Sequence, residues 1–157
     1  MVDVTAIRSA IVKGLRDYVG CPVIRSNQTG ESPPYPYISY TITTLKTQNN
    51  GTYGHYEDDV IAKPTTQIWS ITVQSDDNNE CVDICLKAHT WLDELGRVYL
   101  GDNNVIVQSV GNVTNRDNML TIEYEYRNGF DITIWCMDKA IKDTSEYIET
   151  VIFERSN

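Results

Sequence analysis

The residues whose types and spacing could support chemistry fall in four places in this 157-residue chain. Cys81, Cys85 and His89 recur at intervals of four, so a helix would turn two thiols and an imidazole toward one metal ion. Each step of four rotates the side chain by about 40°, so the first and third diverge by about 80°. A fourth ligand would have to come from Cys21, Cys136 or a loop acid. The two cysteines also fall in an apolar stripe with Ile84, Ala88 and Leu92, and this favours core packing over ligation. The run Asp76-Asp77-Asn78-Asn79-Glu80 carries oxygen donors, but not the alternating ligands and central glycine of a calcium loop. It suits the start of a helix instead. His55 stands near Glu57, Asp58 and Asp59 in a polar, turn-rich stretch. No Gly-x-Ser-x-Gly, no phosphate-cradling glycine loop and no zinc-protease histidine pair accompanies either histidine. The expectation is no catalytic residue, no metal and no cofactor. Finally, Glu123, Glu125 and Arg127 share one strand face with Asp131. They read either as local ion pairs on a solvated face or as charges that meet a neighbouring subunit.

The element that carries those last residues dominates the chain. Leu120, Ile122, Tyr124, Tyr126, Phe130, Ile132 and Ile134 alternate with Thr121, Glu123, Glu125, Arg127, Asp131 and Thr133. Period two of this kind marks a half-buried strand, expected over about 119–136. Asn128-Gly129 resembles a hairpin turn, but a two-residue turn would mix polar and apolar residues on each face. A continuous strand kinked or bulged at Gly129 is favoured over a three-residue loop. Such a strand is long for a domain of this size, so part of it is expected to project toward a neighbour.

Before it, residues 3–18 have the spacing of an amphipathic helix, with Asp3 or Thr5 at its start and Gly20 and Pro22 at its end. Strands are expected over about 37–46 and 66–75. A second helix runs to about Leu95, with Gly96 as its stop, and another strand covers about 104–113. Residues 47–65 read as a long loop or arm whose Tyr53, His55 and Tyr56 suit contact with a partner. The tail, about 146–154, reads as a short final strand or an extended arm. The sum is an α+β fold: one antiparallel sheet of about four to five strands with two helices on one face, plus the arm. One domain spanning 1–157 is expected, with 137–157 as a C-terminal extension.

Composition narrows the function. The net charge is −9 and the 13 Lys and Arg are scattered singly, which disfavours gripping nucleic acid. A weakly negative wall would suit a channel through which DNA slides without sticking. No apolar run approaches a membrane span, and the first residues lack a signal-peptide core, so a protein kept in a cytoplasm with reduced cysteines is expected. Ten tyrosines with few catalytic groups suit contact surfaces better than pockets.

Several segments occur in an order seen elsewhere. They are Pro34-Tyr35-Pro36-Tyr37-Ile38-Ser39-Tyr40, Trp69-Ser70-Ile71-Thr72-Val73, Val110-Gly111-Asn112-Val113, Asn115-Arg116-Asp117 and Tyr124-Glu125-Tyr126-Arg127-Asn128-Gly129-Phe130-Asp131. In this order they resemble a family of bacteriophage neck and tail-terminator proteins, over roughly residues 1–136. The resemblance implies a virion structural protein that self-associates into a ring, of six copies, capping the tail tube. Its partners would be the tail tube protein and a head-completion or connector protein, with DNA only passing through the channel. The long strand, the 47–65 arm and the C-terminal segment would be the contact elements. A small monomeric module binding a ligand between sheet and arm, or a metal-dependent enzyme using Cys81, Cys85 and His89, are the readings from other classes.

Overall fold

The computed structural model describes residues 1–48, 55–57, 59–117 and 124–141, with side chains at all of these except 55–57. The order is α1 (Val4–Val19), β1 (Val23–Arg25), β2 (Tyr37–Thr44), β3 (His55–Glu57), β4 (Val60–Ser75), α2 (Asn78–Thr90), a π-helical turn (Trp91–Leu95), α3 (Arg97–Asp102), β5 (Ile106–Val110), β6 (Thr114–Asn115) and β7 (Tyr126–Ile141). The fold is α+β, as expected. The sheet runs β1-β2-β4-β7-β5, with β3 added to β4 and β6 added to β7. It is mixed rather than purely antiparallel, because the short β1 pairs parallel with β2.

Helix α1 starts where the sequence places a cap. The Asp3 carboxylate accepts the Ala6 N–H at 3.0 Å, and Gly20 closes the helix at φ +81°, a left-handed conformation that suits glycine. Asp77 caps α2 by accepting the Glu80 N–H at 3.1 Å, so the acidic run is a helix start. The helical run ends at Leu95 with Gly96 as its cap, as expected, but it closes as a π turn with Gly96 right-handed, and α3 starts at once at Arg97. The Gly96 N–H bonds the Trp91 carbonyl at 2.7 Å, a five-residue step that inserts one extra residue into the turn. That insertion rotates the apolar stripe. Leu95 swings out to 59% exposure and Leu100, on the third helix α3, is buried in its place.

One face of the sheet is the core. Ile38 and Tyr40 of β2, Trp69, Ile71 and Val73 of β4, and Phe130, Ile132 and Ile134 of β7 pack with Ile11, Leu15, Cys85, Leu92 and Leu100 from the helices. The ladder aligns these rows, with Tyr40 opposite Ile71 and Ile71 opposite Phe130. Asn128-Gly129 forms no hairpin. β7 is a single strand, and its register with β4 passes through Gly129 without a shift. The strand begins later than the alternation predicts: Tyr124 lies before it, 88% exposed, and residues 118–123 fall outside the described residues.

β4 and β7 are each 16 residues long and stay in register throughout, a ribbon of about 50 Å at ~3.4 Å per residue. β2 leaves β4 at Ile68 and β5 leaves β7 at Trp135. Beyond those points, among the described residues, β3 pairs with β4 and the Thr47 N–H bonds the Thr66 carbonyl at 3.1 Å. Part of the segment expected as a loop, Val60–Thr65, is therefore strand, and residues 137–141, expected in the C-terminal extension, belong to β7. Pro64 sits in β4 between the stretches where β2 and β3 pair, opposite Met137 of β7.

At the ribbon, Asp138 receives the Lys46 ammonium and lies 3.5 Å from the N-terminal ammonium. The Lys46 hydrogen bond, aided by the N-terminal charge, holds the Asp138 carboxyl below the usual range. A depressed carboxylate binds fewer protons folded than unfolded, so its stabilisation is complete above the unfolded value of about 3.9 and disappears as pH falls below it. Lys46 is 58% and Asp138 19% exposed, so the contribution is about 1 kcal/mol or less. Asp138→Asn is expected to cost this much at pH 7 and to cost nothing near pH 2, in urea titrations at the two pH values. An equal difference at both would contradict the pairing.

Candidate assembly surface

The helices cover one face of the sheet and leave the other polar. Ser70 and Thr72 of β4 and Arg127, Gly129 and Asp131 of β7 point to this open face. Across it lies Arg116, from the segment between β6 and β7. Its Nη1 donates to Ser70 Oγ at 2.7 Å, Thr72 Oγ1 at 2.9 Å and the Ile71 carbonyl at 3.3 Å. Its Nη2 donates to Asp131 Oδ1 at 3.0 Å. The neighbours of Arg116 lock it down. The Arg116 N–H bonds the Arg127 carbonyl at 2.8 Å, and Asp117 Oδ1 accepts the Arg127 N–H at 2.6 Å. Asn115 in turn accepts the Asp117 N–H at 2.8 Å and donates its amide to Asp117 Oδ2 at 3.1 Å.

Gly129 is where the arginine crosses. A Cβ added there would lie 2.4 Å from the Ile71 carbonyl oxygen and 2.8 Å from Arg116 Nη1. Asn115-Arg116-Asp117 and Gly129-Phe130-Asp131 are thus two halves of one buckle. Glycine makes room, Asp131 holds the guanidinium, and Phe130 points through to the core, 0% exposed. Sequence reading placed Asn115-Arg116-Asp117 among the ordered segments but not among the site residues. The signal was there: a lone arginine flanked by Asn and Asp, and an aspartate two residues beyond a strand glycine.

Arg127, singled out from the sequence, pairs within its own chain. Its Nη2 donates to Glu125 Oε2 at 3.0 Å, and this bond raises the guanidinium pKa. Among the described residues, Glu125 Oε1 and Gln74 Oε1 are buried without a hydrogen-bond partner. Asp131 is held by Arg116 rather than by Arg127. His55 and Tyr56 lie on β3, opposite Ala62 and Ile61. Tyr53 and Glu123 fall outside the described residues. The structure therefore brings Glu125, Arg127 and Asp131 onto one face and puts β3 at the ribbon.

The possible metal ligands point elsewhere. Cys81 and Cys85 are fully buried, with Cys81 Sγ 3.4 Å from the Val73 carbonyl and receiving the Asn128 amide at 3.3 Å. Burial, with the neighbouring Cys81, pushes the Cys85 thiol up to about 12, and burial takes Cys21 to about 11. Thiolates are disfavoured at both. His89 Nε2 lies 2.9 Å from the Gly111 carbonyl, which only accepts, so Nε2 carries the proton. Its ring meets Phe130 edge-on at 5.0 Å. All four cysteines are free, and among the described residues no three His, Cys, Asp or Glu side chains gather as a metal site.

Arg116 and its partners thus tie β4, β7 and the segment before β7 together on this polar face. The family described as phage neck terminator protein matches residues 9–156. The chain belongs to this family. As a neck terminator it is a structural protein of the phage particle, located at the neck, whose role is to interact with other head and tail proteins. The family match continues past Trp135, where the resemblance read from the sequence faded, and takes in β7 to its end and the sequence beyond it to residue 156. No curated protein matches the chain. Among its described residues no helix is long and apolar enough to cross a membrane.

Proposed function

We propose that this neck terminator closes into a ring of six copies that caps the tail tube and joins it to the head, acting without catalysis. The family match carries the reading. Ring closure needs two different faces on each subunit, one meeting the other on the next copy. The open polar face, with Glu125, Arg127 and Asp131, supplies one. The ribbon with β3, bearing His55 and Tyr56 and leading from Tyr53, supplies the other. Glu123, outside the described residues, is a further contact residue in this reading. The partners are the tail tube protein on one side of the ring and a head-completion or connector protein on the other. The net charge of −9 favours a channel through which DNA passes without specific binding.

Electron microscopy with mass determination, on the protein alone and mixed with tail tubes, tests this. Rings in solution or at tube ends are the expected result. Arg127→Glu places like charges beside Glu125 and is expected to reduce ring formation at least tenfold, while the circular dichroism spectrum is retained. A chain that stays monomeric and never binds a tube end would sink the proposal.

A further inference from the structure

On the polar face, a cavity of about 350 Å3 opens above β2, β4 and β7. Strand register builds its floor. Tyr37, Gln74 and Arg127 stand opposite one another in one row across the three strands, and Ser39, Thr72 and Gly129 form the next row. Side chains opposite one another in a sheet have Cβ atoms about 4.5–5.5 Å apart, so Gln74 stands close to Arg127 on one side and Tyr37 on the other. The β1–β2 connection supplies an outer wall through the exposed Ser32. The floor is buried: Ser39 is 5% and Gln74 7% exposed. Polar groups buried to this degree ordinarily have partners. Gln74 Nε2 donates to Ser39 Oγ at 2.8 Å, but Gln74 Oε1 has no partner among the described residues. Thr72 Oγ1 is taken by Arg116. Arg127 gives Nη2 to Glu125, and its Nε and Nη1 have no partner among the described residues. The cavity therefore sets an orphan acceptor next to unused donors.

We infer that this cavity is a binding site for a side-chain carboxamide, that of an asparagine or glutamine, carried by a neighbouring protein. The alternatives fail on chemistry. A carboxylate or a phosphate dianion brings only acceptors, so Gln74 Oε1 stays unpaired, and it competes with Glu125 for one guanidinium. A cation is repelled by Arg127. An apolar group covers Oε1 without pairing it and strips water from the hydroxyls around it. A carboxamide carries an N–H for Gln74 Oε1 and a carbonyl for Arg127 on two atoms of one planar group. It is neutral, so entering the cavity costs it less desolvation than an ion would incur. The volume admits a whole Asn or Gln side chain and lies at the small end of ligand pockets. The inference rests on the reading of this face as a contact surface for the identity of the neighbour, while the binding chemistry is independent of any ring.

Side-chain NMR of the 15N-labelled full chain tests it, with acetamide as the probe and acetate as the control. The Gln74 and Arg127 side-chain signals are expected to move saturably with acetamide, with an affinity about tenfold above that for acetate. Gln74→Met keeps the volume and removes both amide atoms. Ser32→Trp fills the mouth from an exposed position and leaves Gln74 and Arg127 in place. Each is expected to weaken acetamide binding about tenfold. Should Gln74→Met fail to fold, Ser32→Trp carries the comparison. No saturable movement, equal affinity for acetate, or full acetamide affinity in Ser32→Trp would overturn the inference. The unprobed chain then identifies the neighbour. Movement of the same two signals as protein concentration rises places the amide on a second copy, and movement only when tail tubes are added places it on the tail. Movement with neither would refute a neighbour-borne amide. A chain that binds acetamide but forms no ring would sink the ring and keep the site, and rings without an acetamide response would do the reverse.

Discussion

Gly129→Ala is expected to destabilise the protein by about 2–3 kcal/mol, the upper range for overpacking a tight site. The new methyl would meet the Ile71 carbonyl oxygen at 2.4 Å. That atom is backbone in the central strand pair, so it cannot rotate aside as a side chain would. Moving it shifts β4 against β7 where both carry core residues. The methyl would also meet Arg116 Nη1 at 2.8 Å, and displacing the guanidinium loosens its bonds to Ser70, Thr72 and Asp131. Arg116→Ala alone is expected to cost about 1–3 kcal/mol, the value of charged hydrogen bonds at a site that is one-quarter exposed. The two substitutions together separate the causes. Removing the arginine does not remove the carbonyl, so the double variant should be at least as unstable as Gly129→Ala. Recovery in the double variant would mean that the side chain, not the backbone, is the obstacle. Urea midpoints measure all three, and a Gly129→Ala protein within about 0.5 kcal/mol of the parent would disprove the close approach.

Phe130→Ala is expected to cost about 3–5 kcal/mol, the range for emptying a buried aromatic site. Phe130 is fully buried, stands opposite Ile71 in the ladder, and takes the edge contact of the His89 ring. Against a total stability of about 5–15 kcal/mol, such a loss is a large share of what holds the domain folded. Phe130→Leu keeps most of the volume and is expected to cost less than about 1.5 kcal/mol. The slope of the urea transition should stay the same in both, because the sheet keeps its topology. A loss below about 1 kcal/mol for alanine would place the side chain outside the core. The two adjacent positions thus fail for opposite reasons, one from added volume on the polar face and the other from lost volume on the core face.

These positions show where sequence reading succeeds. The alternation through Phe130, Ile132 and Ile134 is local, and a strand must send alternate residues to opposite faces, so the core row of β7 was legible. Helix α1 and its caps at Asp3 and Gly20 were legible for the same reason, as was the cap at Asp77. At Asn128-Gly129 parity excluded a two-residue hairpin and left the favoured continuous strand beside a three-residue loop, which the unshifted register with β4 rules out. The π turn and the third helix were not legible. Gly96 ends the run at Leu95 as expected, but nothing local announces a π turn that lets Trp91 pack over the glycine, where an added Cβ would meet its indole at 2.5 Å.

The sequence by itself determined that this is an α+β protein with one dominant strand, two capped helices, an acidic surface and the ordered segments of a phage neck terminator. Periodicity, capping and turn chemistry act over a few residues, and so they can be read without a partner. Tertiary structure alone decided which arginine does what. Arg116 and Asp131 are 15 residues apart, Arg116 and Ser70 are 46 apart, and Lys46 lies far along the chain from Asp138. Each pairing exists because strand register brings the two side chains to one face. Register is fixed by burying Trp69, Ile71 and Phe130 together across strands that are distant in sequence.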